Sequence, residues 1–119
     1  MTTVLIVDDH EGFRTLARNL LEPAGYEVTG EAADGASAVR AAAELEPDAI
    51  LLDVQLPDTS GFEVSRTVTD RDDPPAVVLV SSRDAADYGR KIGSCGARGF
   101  IPKAELTVAR FAELVETAA

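Results

Sequence analysis

Three short runs of uninterrupted apolar residues constrain this chain more than any other feature: Val4-Leu5-Ile6-Val7, Ala49-Ile50-Leu51-Leu52 and Val77-Val78-Leu79-Val80. A strand with no polar face must be covered on both sides, the condition of a parallel sheet held between helices. Stretches with helical spacing lie between the runs. Phe13, Leu16, Ala17, Leu20 and Leu21 mark the first, which stops at Pro23-Ala24-Gly25. Residues 36–45 are alanine-rich and end before Pro47. A loop with Pro57, Asp58, Ser60 and Gly61 leads into a helix over 62–69, and Pro74-Pro75 breaks the chain before the next strand. A further helix is expected over 84–94, and Val108, Phe111, Ala112 and Val115 form the apolar stripe of the last one. Segments 27–31 and 98–101 complete the alternation as shorter strands.

Five strands alternating with five helices imply right-handed βαβ crossovers covering both faces of the sheet. The fold class predicted is α/β, a doubly wound five-stranded parallel sheet of order 2-1-3-4-5 flanked by five helices. The 119 residues leave room for one domain, 1–119, and no second core. No apolar run approaches the ~20 residues of a membrane span. The N-terminus lacks the basic-then-apolar pattern of a signal peptide. The single cysteine, Cys95, cannot form an internal disulfide, and a reducing cytoplasm is the expectation. A formal charge of −10 argues against direct nucleic-acid binding by this chain and otherwise means solubility.

Ligands of such sheets sit beyond the carboxyl ends of the strands. There the sequence puts Asp8 and Asp9 after the first strand, Asp53 after the third, Ser81 after the fourth and Lys103 past the fifth. Taken singly, an aspartate after a strand is an ordinary helix N-cap, Ser81 an ordinary turn residue and Lys103 an ordinary solvated side chain. Taken together they describe a crevice. Carboxylates gathered there repel unless protonated or compensated by a cation. A hard divalent ion suits them, and Mg²⁺ is typically held by one or two carboxylates with waters and a phosphate. Lys103 supplies a point charge and Ser81 a donor for phosphate oxygens. The set reads as a phosphoryl site.

The segments Val4-Leu5-Ile6-Val7-Asp8-Asp9, Leu51-Leu52-Asp53-Val54-Gln55-Leu56-Pro57, Gly61-Phe62-Glu63, Val80-Ser81-Ser82 and Gly99-Phe100-Ile101-Pro102-Lys103 resemble the response-regulator receiver of two-component signalling, over essentially the whole chain. Asp9-His10 and Phe100-Ile101-Pro102-Lys103-Ala104 are similar to receivers of LuxR-type transcription regulators. The resemblance implies that Asp53 is the phosphoacceptor, attacking the phosphohistidine of a sensor histidine kinase. It implies Mg²⁺ on the Asp9 and Asp53 side chains and the backbone carbonyl of Gln55, with Asp8 acting through water. Lys103 then pairs with the phosphoryl group, Ser81 moves to hydrogen-bond it, and Phe100 swings inward when Ser81 moves. Gln55 and Arg83 stand where the family tunes phosphoryl lifetime. Homodimerisation on phosphorylation and a C-terminal DNA-binding output domain outside this chain are further implications.

In many receivers a proline follows the lysine through a cis bond. Here Pro102 precedes Lys103 and Ala104 follows it, so a trans bond is expected. Gly89 and Gly93 each cost a helix about 1 kcal/mol relative to alanine, which makes 84–94 the helix easiest to remodel unless those glycines serve close packing. His10 reads as a loop residue and Cys95 as a small packing residue.

Other readings stay open at this point. A haloacid-dehalogenase-type phosphatase needs a second aspartate two positions after its nucleophile at the end of the first strand, and Asp8-Asp9-His10 lacks that spacing. A flavin or nucleotide module needs a loop that welcomes phosphate after that strand, where this chain is acidic. A degenerate receiver would signal by protein contact without phosphorylation.

Overall fold

The computed structural model describes residues 1–116. Its strands are β1 (Thr3–Val7), β2 (Glu27–Ala32), β3 (Ala49–Asp53), β4 (Ala76–Ser81) and β5 (Gly99–Pro102), and its α-helices are α1 (Glu11–Leu21), α2 (Gly35–Leu45), α3 (Gly61–Thr69) and α4 (Val108–Val115). The five strands pair in parallel in the order β2-β1-β3-β4-β5, the order expected from the sequence. No described helix is long and apolar enough to cross a membrane.

Alternate side chains of the apolar strands face opposite layers, as the pleat requires. Leu5, Val7, Ile50, Leu52, Val77 and Leu79 pack with Ala38, Ala42, Phe62, Val64 and Val68 of α2 and α3. Val4, Ile6, Ala49, Leu51, Val78 and Val80 pack with Ala17 and Leu21 of α1 and Phe111 of α4. Every residue of β3 and β4 is buried, including the polar Asp53 and Ser81 at their carboxyl ends. These two strands therefore carry a buried polar side chain on their last residue.

The expected helix over 84–94 is absent, so four α-helices flank the sheet rather than five. Its place is taken by two single 3-10 turns, Ala85–Asp87 and Gly89–Lys91. Asp84 and Asp87 make a reciprocal capping box that starts a helix. Gly89 then adopts φ +56°, a left-handed conformation that a right-handed helix cannot pass through. Gly96 follows at φ +84°, and an added Cβ there would lie 2.3 Å from the Thr69 hydroxyl oxygen. The last strand also lies one residue later than expected, so Pro102 ends the sheet opposite Ser81. No described peptide bond is cis, as expected for Lys103-Ala104.

Candidate functional site

At the carboxyl rim of the sheet, β1 delivers Asp8 and Asp9, β3 delivers Asp53 and the turn after β5 delivers Lys103. Asp8 is wholly buried and Asp53 is 3% exposed. Lys103 Nζ lies 2.6 Å from Asp8 Oδ2 and 3.6 Å from Asp53 Oδ2. It also sits 4.5 Å from the centre of the Phe13 ring, whose negative face helps hold a cation. Ligand atoms of Asp8, Asp9, His10 and Asp53 all fall within 4.8 Å of one another.

Local bonds fix this geometry. The Asp8 amide donates to the Ala32 carbonyl at 3.0 Å, and the Arg14 guanidinium donates to the Asp8 carbonyl at 2.7 Å. Asp8 Oδ1 accepts from the His10 amide at 2.8 Å, which turns the chain into α1. Asp53 Oδ1 accepts a long bond, 3.4 Å, from the Gln55 amide, so the loop bearing Gln55 wraps the acceptor. Gly61 closes that loop: its amide donates to the Val54 carbonyl at 2.7 Å, and a Cβ in its place would sit 2.3 Å from the Asp53 carbonyl oxygen. Only glycine permits that approach.

The electrostatics are strained in one direction. Burial, helped by the neighbouring Asp8 charge, pushes the Asp53 carboxyl up to about 6, against the pull of Lys103 and the Gln55 amide. Lys103 pairs with two of the three clustered carboxylates, Asp8 and Asp53. Asp8 Oδ2, fully buried, has the Lys103 ammonium close by but no well-directed hydrogen bond. A buried carboxylate oxygen without a well-directed hydrogen bond, in a cluster of three aspartates with His10 at its exposed edge, fits a hard divalent cation, which would relieve the repulsion and fill the free lone pair.

Ser81 ends β4 one residue past Val80, the register partner of Asp53, and its hydroxyl is engaged by Tyr88 and the Arg83 amide. Phe100 is partly buried on β5, with its ring 5.7 Å from that of Tyr88. Asp8, Asp9, Asp53 and Lys103 thus meet directly, while Ser81 and Phe100 form a second group joined through Tyr88. Cys95 is buried and accepts a bond from the Ser65 hydroxyl at its carbonyl, in line with a packing role.

Three contributors escape a reading of the sequence. His10 Nδ1 approaches Asp8 and Asp9 at 3.2 and 3.0 Å, although its side chain is largely exposed; its position next to Asp9 was the available signal. Tyr88 lies on a segment read as helix, where nothing marked its register. Asp58 accepts from the Gly35 and Ala36 amides at 2.8 and 3.1 Å and so ties the Gln55 loop to the start of α2, a contact no local pattern announces.

Comparison with known proteins agrees with this geometry. Residues 4–116 match the family model described as the response regulator receiver domain. The DNA-binding transcriptional activator EvgA of Escherichia coli K12 is 34% identical over 101 residues, covering 85% of this chain and 50% of EvgA. The transcriptional regulatory protein YdfI of Bacillus subtilis is 39% identical over 105 residues, covering 87% of this chain and 48% of YdfI. The chain therefore spans about half the length of these curated relatives. The crystal structure of a LuxR-family two-component response regulator from Aurantimonas superposes with a TM-score of 0.85 at 31% identity, covering 100% of this chain and 89% of that one. Motif order, sheet order and the acidic rim agree with one another, and the chain belongs to the response regulator receiver family.

Proposed function

We propose that this chain is a phosphorylation-controlled switch whose phosphoacceptor is Asp53. The observation that carries the reading is Lys103 Nζ set between Asp8 and Asp53 at a rim where three carboxylates converge. Phosphoryl transfer asks a protein mainly for placement and charge neutralisation. An Asp53 oxygen attacks phosphorus of a kinase phosphohistidine, the P–N bond breaks, and its electron pair stays on the departing imidazole. Lys103 holds the added negative charge and Ser81 donates to a phosphoryl oxygen. Asp9 and Asp53, with the Gln55 backbone carbonyl, would hold Mg²⁺, and Asp8 would contact it through water. When bound, the ion neutralises charge on the phosphoryl oxygens.

The partner that supplies the phosphoryl group is a sensor histidine kinase. The relatives' names support an output in transcription, through a DNA-binding domain outside this chain and through dimerisation when phosphorylated. The chain's own acidity is consistent with leaving DNA contact to that domain. The test is incubation with acetyl phosphate and Mg²⁺ followed by intact mass. The native chain is expected to gain one phosphoryl group and Asp53→Asn none. Equal labelling of both, or of neither, refutes the assignment.

A further inference from the structure

Ser81 is the residue that the proposed function requires at the phosphoryl oxygens, and its hydroxyl is already occupied. Tyr88 Oη lies 2.6 Å from Ser81 Oγ, and the Arg83 amide donates to the same oxygen at 3.1 Å. The Tyr88 ring is held between two others, 5.4 Å from Phe62 of α3 and 5.7 Å from Phe100 of β5, both at steep angles. One phenol therefore touches the helix beside the site, the strand leading to Lys103 and the serine at the end of β4.

The backbone around Tyr88 is weakly held. Its segment carries single-turn backbone bonds, Asp87 to Asp84, Tyr88 to Ala85, Lys91 to Tyr88 and Ser94 to Lys91, in place of a continuous helical ladder. Most side chains from Asp84 to Ser94 are exposed. Tyr88 and Ile92 are the side chains of this segment that pack against the core, and Tyr88 alone of the two also bonds to the site, so its anchorage helps decide where the segment sits.

We propose that Tyr88 is a positioning residue that acts as a latch on Ser81. Its hydroxyl keeps Ser81 in the unphosphorylated arrangement, and Ser81 engages a phosphoryl oxygen only by giving Tyr88 up. The exchange runs forward because a hydroxyl bond to an ionised oxygen is shorter and roughly twice as strong as one between neutral hydroxyls. Once released, Tyr88 leaves Phe100 without its aromatic neighbour and frees residues 84–94 to repack. Phosphorylation is thereby transmitted to the surface through a phenol on the segment lacking regular helix. This inference rests on Asp53 being the phosphoacceptor.

The test is a double-mutant cycle on the rate of phosphorylation by acetyl phosphate with Mg²⁺, read by intact mass. Tyr88→Phe keeps the ring packing and removes only the latch. It is expected to raise the rate about fivefold in the native background, about 1 kcal/mol at ~1.4 kcal/mol per tenfold change, and to leave it unchanged in Ser81→Ala. An equal effect in both backgrounds, or none in either, overturns the latch. A native chain that takes no phosphoryl group overturns the phosphoacceptor reading itself, and the latch with it. A second readout uses the absence of tryptophan and the presence of only two tyrosines: in Tyr26→Phe the sole emitting phenol is Tyr88. Its fluorescence is expected to shift as phosphoryl mass accumulates, and an unchanged emission at full phosphorylation overturns the proposal.

Discussion

Replacing Asp53 with asparagine should make the metal-free protein more stable, although it removes the residue on which the proposed function depends. The carboxyl is raised from 3.8 to about 6, chiefly by burial and then by Asp8. That shift already nets the repulsion against the attraction of Lys103. Asparagine has nearly the shape of the protonated acid, so the variant should behave like a chain whose Asp53 never ionises. A folded-state value above the unfolded one means that the proton stabilises the fold. The stabilisation is complete below pH 3.8 and is lost as pH rises through about 6. At ~1.36 kcal/mol per pKa unit, the native chain forfeits at most about 3 kcal/mol by pH 8. Water reaching the open rim reduces this to about 1–2 kcal/mol. Urea denaturation with a chelator present should show Asp53→Asn ahead by that amount at pH 8 and level with the native chain at pH 4. Differences between the two chains cancel the titration of other groups. Added Mg²⁺ should close or reverse the gap, because a ligand at 100 times its dissociation constant adds about 2.7 kcal/mol to a chain that binds it. A variant that is no more stable at pH 8, or an advantage that does not change with pH, would refute the account of a repulsive rim.

Lys103→Met should cost about 2 kcal/mol at pH 8 without metal, since Asp8 and Asp53 keep their buried charges and lose the cation beside them. In urea titrations Mg²⁺ should recover part of that loss; a variant as stable as the native chain with and without Mg²⁺ counts against the pairing. Gly61→Ala should cost about 2 kcal/mol by overpacking, because the new Cβ meets backbone atoms, the Asp53 carbonyl oxygen at 2.3 Å and Val54 Cα at 2.9 Å, that cannot swing aside. The check is its urea midpoint, and a midpoint within 0.5 kcal/mol equivalent of the native chain would show that the loop yields.

The parts of the fold legible in the sequence were those governed by burial. Val4–Val7, Ala49–Leu52 and Val77–Val80 have no polar residue to present to water, so both faces had to be covered, and the size of the chain then suited the order 2-1-3-4-5, one of the two common open α/β arrangements. The failure at 84–94 has the opposite cause. Asp84 starts a helix by capping, yet Gly89 is free to take φ +56°, and no local residue records that Tyr88 must reach across to Ser81. Local propensity there is weak, and Gly89 in the left-handed region ends the turn that Asp84 starts.

The candidate site divides in the same way. Asp8, Asp9, Asp53 and Lys103 could be found because a charge at the end of an apolar strand is costly unless it has a use, and all of them lie at strand ends or just beyond on one rim. The residues that set their geometry carry no such cost and gave no such signal. Asp58 is an ordinary turn aspartate until its carboxylate is seen on the Gly35 and Ala36 amides. Phe13 is an ordinary helix-face aromatic until Lys103 is seen above it. A charged reactive group betrays itself by its placement in the sequence, whereas the neutral groups that aim it are recognisable only once the chain is folded. Tyr88 is of the second kind: nothing in its sequence neighbourhood marks it, and its bond to Ser81 and its place between Phe62 and Phe100 appear only in the folded chain.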